Sequence, residues 1–285
     1  EWIVKSPIIV NGNLIIEPDV KLLFDDHAYL VVHGRIVANG KKHQKIILTS
    51  KNKSWMGLYV YESKLDSSLN NVVISNTSSI NDKLLKLSGG VTFYKSNVNI
   101  TNSKFTSSTA EDMLNFVKSK YVISDSVMLS ARSDAIDSDF SDGYIRNLII
   151  DNVGGDAIDT SGTNLKILNL KVSQVIDKAI SAGESSSVSI SKCSLENVGV
   201  GIASKDGSNV SVSGCTIKNA KLSALMSYTK KDFYGKPGLD VRLSNLDVKT
   251  KFIRQREAKL VINGELVPYS NLNVGKLYKS TFMKK

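Results

Sequence analysis

The amino-acid sequence predicts an all-β protein, a right-handed parallel β-helix with coils of about 22 residues, and three observations predict it. From about residue 98 onward, hydrophobic, asparagine and acidic positions recur every 22 or 23 residues. The composition, rich in Val, Ile, Ser and Asn with only four prolines and 7% aromatics, suits short strands between polar turns rather than long helices. A repeat this short cannot bury its own apolar face, so neighbouring repeats must stack. With 285 residues and 41% hydrophobic content, the chain has enough apolar material for a continuous core.

Residues 1–70 are less regular, with short strands expected at 14–16, 21–24, 29–32, 46–48 and 58–60 between Gly, Pro, Asn and Asp turns. They are expected to form an N-terminal cap and the first irregular coils. Residues 71–258 carry the regular helix. Its turn column runs Asn102, Asp125, Asn147, Asn169, Lys192 and Gly214, mostly types that tolerate left-handed backbone. Two residues earlier stand Ile100, Ile123, Ile145, Ile167, Ile190 and Val212. Three residues later stand Phe105, Met128, Ile150, Val172, Leu195 and Ile217. Both columns are expected to point inward. A leucine-rich solenoid would need a Leu frame and a helical period, and neither is present.

From Gly214 to the next expected turn residue, Asn245, the step is 31, so about nine residues are inserted near 228–236 as a loop on one face. Residues 259–285 are expected to form a C-terminal cap or tail. An uncovered solenoid end is an exposed sheet edge, so the Trp2 region and 259–269 are expected to cover the two ends. Cys193 and Cys215, 22 apart, should be stacked neighbours roughly 4.8 Å apart. That spacing suits two buried thiols or a disulfide, and a disulfide would imply an oxidising compartment.

The chemistry is concentrated in three aligned strings, Asp134-Ala-Ile-Asp137, Asp156-Ala-Ile-Asp159 and Lys178-Ala-Ile-Ser181. One column reads Asp112, Asp134, Asp156, Lys178, and a second reads Asn115, Asp137, Asp159, Ser181. Both are expected along the outside of the helix. Clustered carboxylates need a cation or shifted pKa values. The hard oxygen donors Asp134, Asp137, Asp156 and Asp159 suit Ca²⁺, whereas the three histidines all lie far upstream. The same aspartates also suit turn capping and pairing with Lys178, Arg132 and Arg146. Lys178 beside a cation is expected to have a lowered pKa and to act as a base, with Arg132 and Lys205 as further catalytic candidates. As a surface partner of Asp156 it would contribute only ~0–1 kcal/mol. Glu184, Asp206, Tyr228, Lys230, Lys231 and Tyr234 are the candidate substrate-binding residues, four of them in the aromatic and basic insertion.

The 22-residue coils, the Asn-rich turn column and the charged strip resemble the pectin-lyase-like superfamily of right-handed β-helices over roughly residues 70–250. That superfamily holds polysaccharide lyases, epimerases, glycosidases, phage tailspikes and adhesins. The Asp-Ala-Ile-Asp repeat with a downstream lysine looks like pectate lyases. The likeness implies metal-binding roles for Asp134, Asp137, Asp156 and Asp159 and a base role for Lys178. The pectate-lyase-like spacing is not reproduced residue for residue. A polygalacturonase-like Gly-His-Gly and the histidine of an epimerase-like Asp-Pro-His-Asp are absent. Residues 177–185 and 203–208 also resemble bacterial β-helix repeat proteins.

Lysine and arginine outnumber acids 37 to 27, a net charge of +10, which favours polyanions. No helix-turn-helix, zinc finger or aromatic RNA-binding signature is present, so acidic polysaccharide or cell-envelope glycan is the expected partner rather than nucleic acid. No stretch approaches 18 uninterrupted apolar residues, and a secreted, periplasmic or surface protein is expected. The expected function is a metal-assisted lyase or epimerase on acidic polysaccharide; the alternative is a non-catalytic glycan-binding or structural module of an envelope protein.

Overall fold

The computed structural model describes residues 1–83, 85–247 and 251–279. The protein is nearly all-β, 64% strand and 3% helix, and forms a parallel β-solenoid of ~11 turns about 23 residues apart. Two compact units divide the chain, residues 1–142 and 143–285.

In the first unit regular coils start at once. Strand Trp2–Val4 pairs in parallel with Lys21–Phe24, Ile8–Asn11 with Leu30–His33, and Leu14–Ile16 with Ile36–Asn39. The period was hidden by coil length. Trp2 lies beside Leu22, whereas Val37 lies beside Ser68 and Leu58 beside Val91, because loops lengthen these coils. Trp2 is 68% exposed and belongs to the first strand.

In the second unit strand Asn164–Gly183 pairs in parallel with Ser187–Lys205, which pairs with Asn209–Ser213 and Thr216–Tyr228. The long strands pass through corners where Asn147, Asn169, Lys192 and Gly214 hold φ between 51° and 66°, as the turn column requires. A second left-handed corner at Asn152, Gln174, Asn197 and Asn219 was not visible as a column, because Gln174 breaks the Asn pattern. After Gly214 the column continues at Leu243, not Asn245. Inter-coil register changes from Lys205 opposite Tyr228 to Asn209 opposite Gly238, so the insertion is six residues at this point rather than nine. It contains a 3₁₀ turn, Asp232–Tyr234.

Every residue of the two expected inward columns is at most 3% exposed. Cys193 and Cys215 lie 4.4 Å apart at Cα and are joined as a disulfide between adjacent coils. Strand Lys259–Ile262 adds one more parallel rung to Gly238–Arg242, and Glu265–Leu266 folds back on it antiparallel. Helix Val274–Lys279 then lies over the stretches 200–203 and 226–228 of two adjacent coils, where Leu272, Val274, Leu277 and Tyr278 pack on Val200, Ala203, Met226 and Tyr228. The last part of the expected tail, 280–285, lies outside the described residues. Among the described residues no helix is long and apolar enough to cross a membrane.

Candidate functional site

Charged residues of the second unit meet beside those stretches, at Asp156, Asp159, Asp177, Lys178 and Lys205. Between Val175 and Lys178 the pairing register slips by one residue, a β-bulge that re-aims Asp177 and Lys178 together. The neighbouring coil slips in turn at Gly199. A Cβ there would stand 2.3 Å from the Ile176 carbonyl and 2.5 Å from that of Asp177, so only glycine lets the two bulged backbones approach.

Asp156 binds its neighbour coil twice through Oδ1, accepting the Lys178 backbone N–H at 2.9 Å and the Lys178 Nζ at 3.0 Å. Lys178 Nζ also reaches Asp177 Oδ2 at 2.6 Å. Asp159 Oδ1 accepts the Thr160 N–H at 3.1 Å and faces Lys205 Nζ at 3.7 Å. Asp156 and Asp159 bring carboxylate oxygens within 4.8 Å of each other, which two ammonium groups make tolerable. Gly183 leaves room for Lys205, whose Cε would touch a Cβ at 3.4 Å.

The electrostatics separate the groups. Burial works against the charge of Lys178, but Asp156 and Asp177 more than restore it and its pKa rises; Lys205 rises likewise, against burial, because of Asp159. The Asp177 carboxyl is pushed up to about 6 by burial and then by Asp156, with Lys178 only partly offsetting them. Its Oδ1 is buried without a hydrogen-bond partner among the described residues.

These findings change several expectations. The acidic columns were expected on open surface, yet Asp112, Asp134, Asp156 and Lys178 are 4%, 1%, 1% and 2% exposed. The Asp156 side chain meets the next coil's backbone at Lys178, so that rung covers it. The Lys178–Asp156 pair exists but is buried, and the pKa of Lys178 moves up rather than down. Asp177 was passed over because it lies off both columns, and a bulge leaves no mark in a 22-residue alignment.

The substrate-binding candidates divide. Asp206 Oδ1 accepts the backbone N–H of Lys230 at 2.6 Å and of Lys231 at 2.7 Å, anchoring the insertion. Glu184 binds the Lys231 ammonium and, at 3.3 Å, the Tyr234 hydroxyl. Tyr228 is fully buried and its hydroxyl lies 2.7 Å from that of Tyr278. Lys230 Nζ sits 4.1 Å over the Tyr278 ring. In the first unit, Arg132 is exposed, Asp134 is buried, and Asp137 Oδ2 accepts Asn115 Nδ2 at 3.1 Å.

Residues 89–236 match the family described as right handed beta helix region. A polygalacturonase from Erwinia carotovora ssp. carotovora has a similar structure, with a TM-score of 0.55 and 13% identity over 92% of this chain and 85% of that one. A mutant of the periplasmic alginate epimerase AlgG is also similar, with a TM-score of 0.52 and 10% identity over 90% of this chain and 83% of that one. At such identities the likeness speaks to fold. No curated protein matches the chain. The family match spans just over half of the sequence and falls on the stacked coils described above, and the chain belongs to the right-handed β-helix family.

Proposed function

We propose that the protein acts on an acidic, uronate-containing polysaccharide at the Asp156, Asp159, Asp177, Lys178 and Lys205 cluster, as a lyase or an epimerase. The observation that carries this is a pair of firmly charged ammonium groups beside one carboxyl poised near neutrality. Lys205, with 13% of its side chain exposed, is the ammonium that meets a uronate carboxylate. Neutralising that carboxylate acidifies the α C–H bond. Asp177, with a pKa of about 6, is ionised at pH 7 yet basic enough to take the proton. The electron pair then forms the C=C bond and breaks the bond to the β oxygen, which leaves as an alcohol by taking a proton from water and gives an unsaturated end; alternatively water on the opposite face returns a proton to the carbon and inverts the centre. Lys178 stays protonated and positions Asp177.

A calcium ion at Asp156 and Asp159 would have to displace Lys178 and Lys205. The polygalacturonase and the epimerase of similar fold lend support to a polysaccharide substrate. The disulfide supports a secreted, periplasmic or surface location.

A second reading, glycan binding without chemistry, has its own observation. A groove of about 590 Å³ crosses the stretches 166–168, 189–191 and 211–213, lined by Tyr144, Lys166, Ser189, Ser211 and Arg242 among others. Incubation with a panel of uronate polysaccharides separates the readings. Absorbance of unsaturated ends reports elimination and solvent deuterium in the sugar reports epimerisation, each with Ca²⁺ or with chelator. The proposal expects turnover that survives chelation and falls about a hundredfold or more in Asp177→Asn and Lys205→Met. Binding without turnover, weakened by Arg242→Ala, would favour the second reading.

A further inference from the structure

The charged cluster is nearly closed, and what closes its apolar side is the chain's own end. Met226 and Tyr228 point outward from their strand, as do Val200 and Ala203 one coil earlier, yet all four are at most 1% exposed because Leu272, Val274, Leu277 and Tyr278 lie on them. A helix of six residues has no stability of its own, so this cover is held by side-chain contact.

The contacts are ones that a sugar ring can replace. The Tyr278 hydroxyl bonds the Tyr228 hydroxyl, and the two rings lie 6.3 Å apart. The Lys230 ammonium sits over the Tyr278 ring. That ammonium pairs with no carboxylate among the described residues. Burial lowers its pKa, and so do Lys205 and Lys231 beside it, leaving a local excess of positive charge. A uronate there would supply a hydroxyl for Tyr228, a ring face for Tyr228 and Met226, and a carboxylate that serves Lys230 better than an aromatic face does.

We propose that this covered face is a sugar-ring subsite continuous with the charged cluster, and that segment 272–279 is a built-in competitor which an acidic oligosaccharide displaces. The inference rests on the functional reading above and adds where the chain of sugars lies and what gates it. Tyr278 then holds the place of a ring next to the residue undergoing reaction. Apparent affinity is lowered by the fraction of molecules in which the segment is docked.

The test uses the full chain with Leu277→Asp and Tyr278→Ala combined, titrated calorimetrically with oligogalacturonates and oligomannuronates beside the wild type. About tenfold tighter binding is expected in the double variant, lost again when Tyr228→Ala is added. In the wild type, saturating oligosaccharide should raise amide exchange in 274–279, a readout that needs no variant to fold. Equal affinities, with the segment as protected in the complex as before, would overturn the competitor while leaving the functional reading standing. If no oligouronate binds either form, the functional reading itself fails, and this inference with it.

Discussion

Three carboxylates share two ammonium groups in the second unit. Asp177 is buried beside the Asp156 charge, and the Lys178 contact offsets only part of that. Its raised pKa has a stability consequence with a definite sign. An unfolded Asp releases its proton near 3.8, whereas folded Asp177 holds it to about 6. Between those values the native state binds more protons than the unfolded state. Stability therefore falls as pH rises through this window, and the full cost is present above it. Asp177→Asn mimics the protonated form, so it should stabilise the fold by roughly 1–3 kcal/mol at pH 8 and hardly at all near pH 4. Urea denaturation at the two pH values measures it. A variant more stable yet less active marks a functional strain; one destabilised at pH 8 would show that the Lys178 contact dominates instead. Lys178→Gln should go the other way. It strips two buried carboxylates of their cation and should cost ~3–5 kcal/mol, far beyond the ~0–1 of a surface pair. The columns disclosed Asp156, Asp159 and Lys178 in the sequence because they obey the repeat. Asp177 stayed illegible because its importance comes from a bulge and from counting charges in three dimensions.

At the scale of elements, the insertion is set by two acidic residues whose role a sequence pattern could not assign. Asp206 and Glu184 align one coil apart, and each holds part of 230–236 in place. Asp206→Ala leaves two backbone N–H groups without their acceptor and should cost ~1–3 kcal/mol. Limited proteolysis should then cut between 229 and 237 in the variant and not in the wild type. Cleavage equal in both would mean that Glu184 alone anchors the loop. The bulge depends on Gly199 in the same way. Gly199→Ala must push the 176–177 backbone outward, because its Cβ would lie well inside contact distance of two carbonyl oxygens. The pKa of Asp177 should fall toward that of a solvated carboxyl, which ¹³C NMR of the side chain would register. A repeat alignment placed this strand correctly, but it could not show that two adjacent coils slip register in concert.

At the scale of the whole molecule, the fold was legible because a solenoid writes its period directly into the sequence: a residue every 22 positions faces the same neighbours one rung away. Legibility failed where loops break the period. The first unit hid regular coils behind spacings of about 30 residues, such as Val37 to Ser68, and Leu243 took over the turn column that the residue types assigned to Asn245. The same one-dimensional logic makes a mechanical prediction. Ile180 is fully buried, pairs with Ile158 and Ile202 on adjacent rungs, and has no reason to touch coils further away. Ile180→Ala should therefore cost ~2–4 kcal/mol as a core truncation. In a stack of nearest neighbours that loss is felt locally. Native-state hydrogen exchange should quicken in 158–161, 178–183 and 200–205, leaving Leu30–His33 and Leu58–Tyr61 at wild-type rates. Uniform quickening across the chain would instead mean that the coils open as one cooperative body. In that case ligand-driven release of the C-terminal segment would be coupled to the stability of the entire stack.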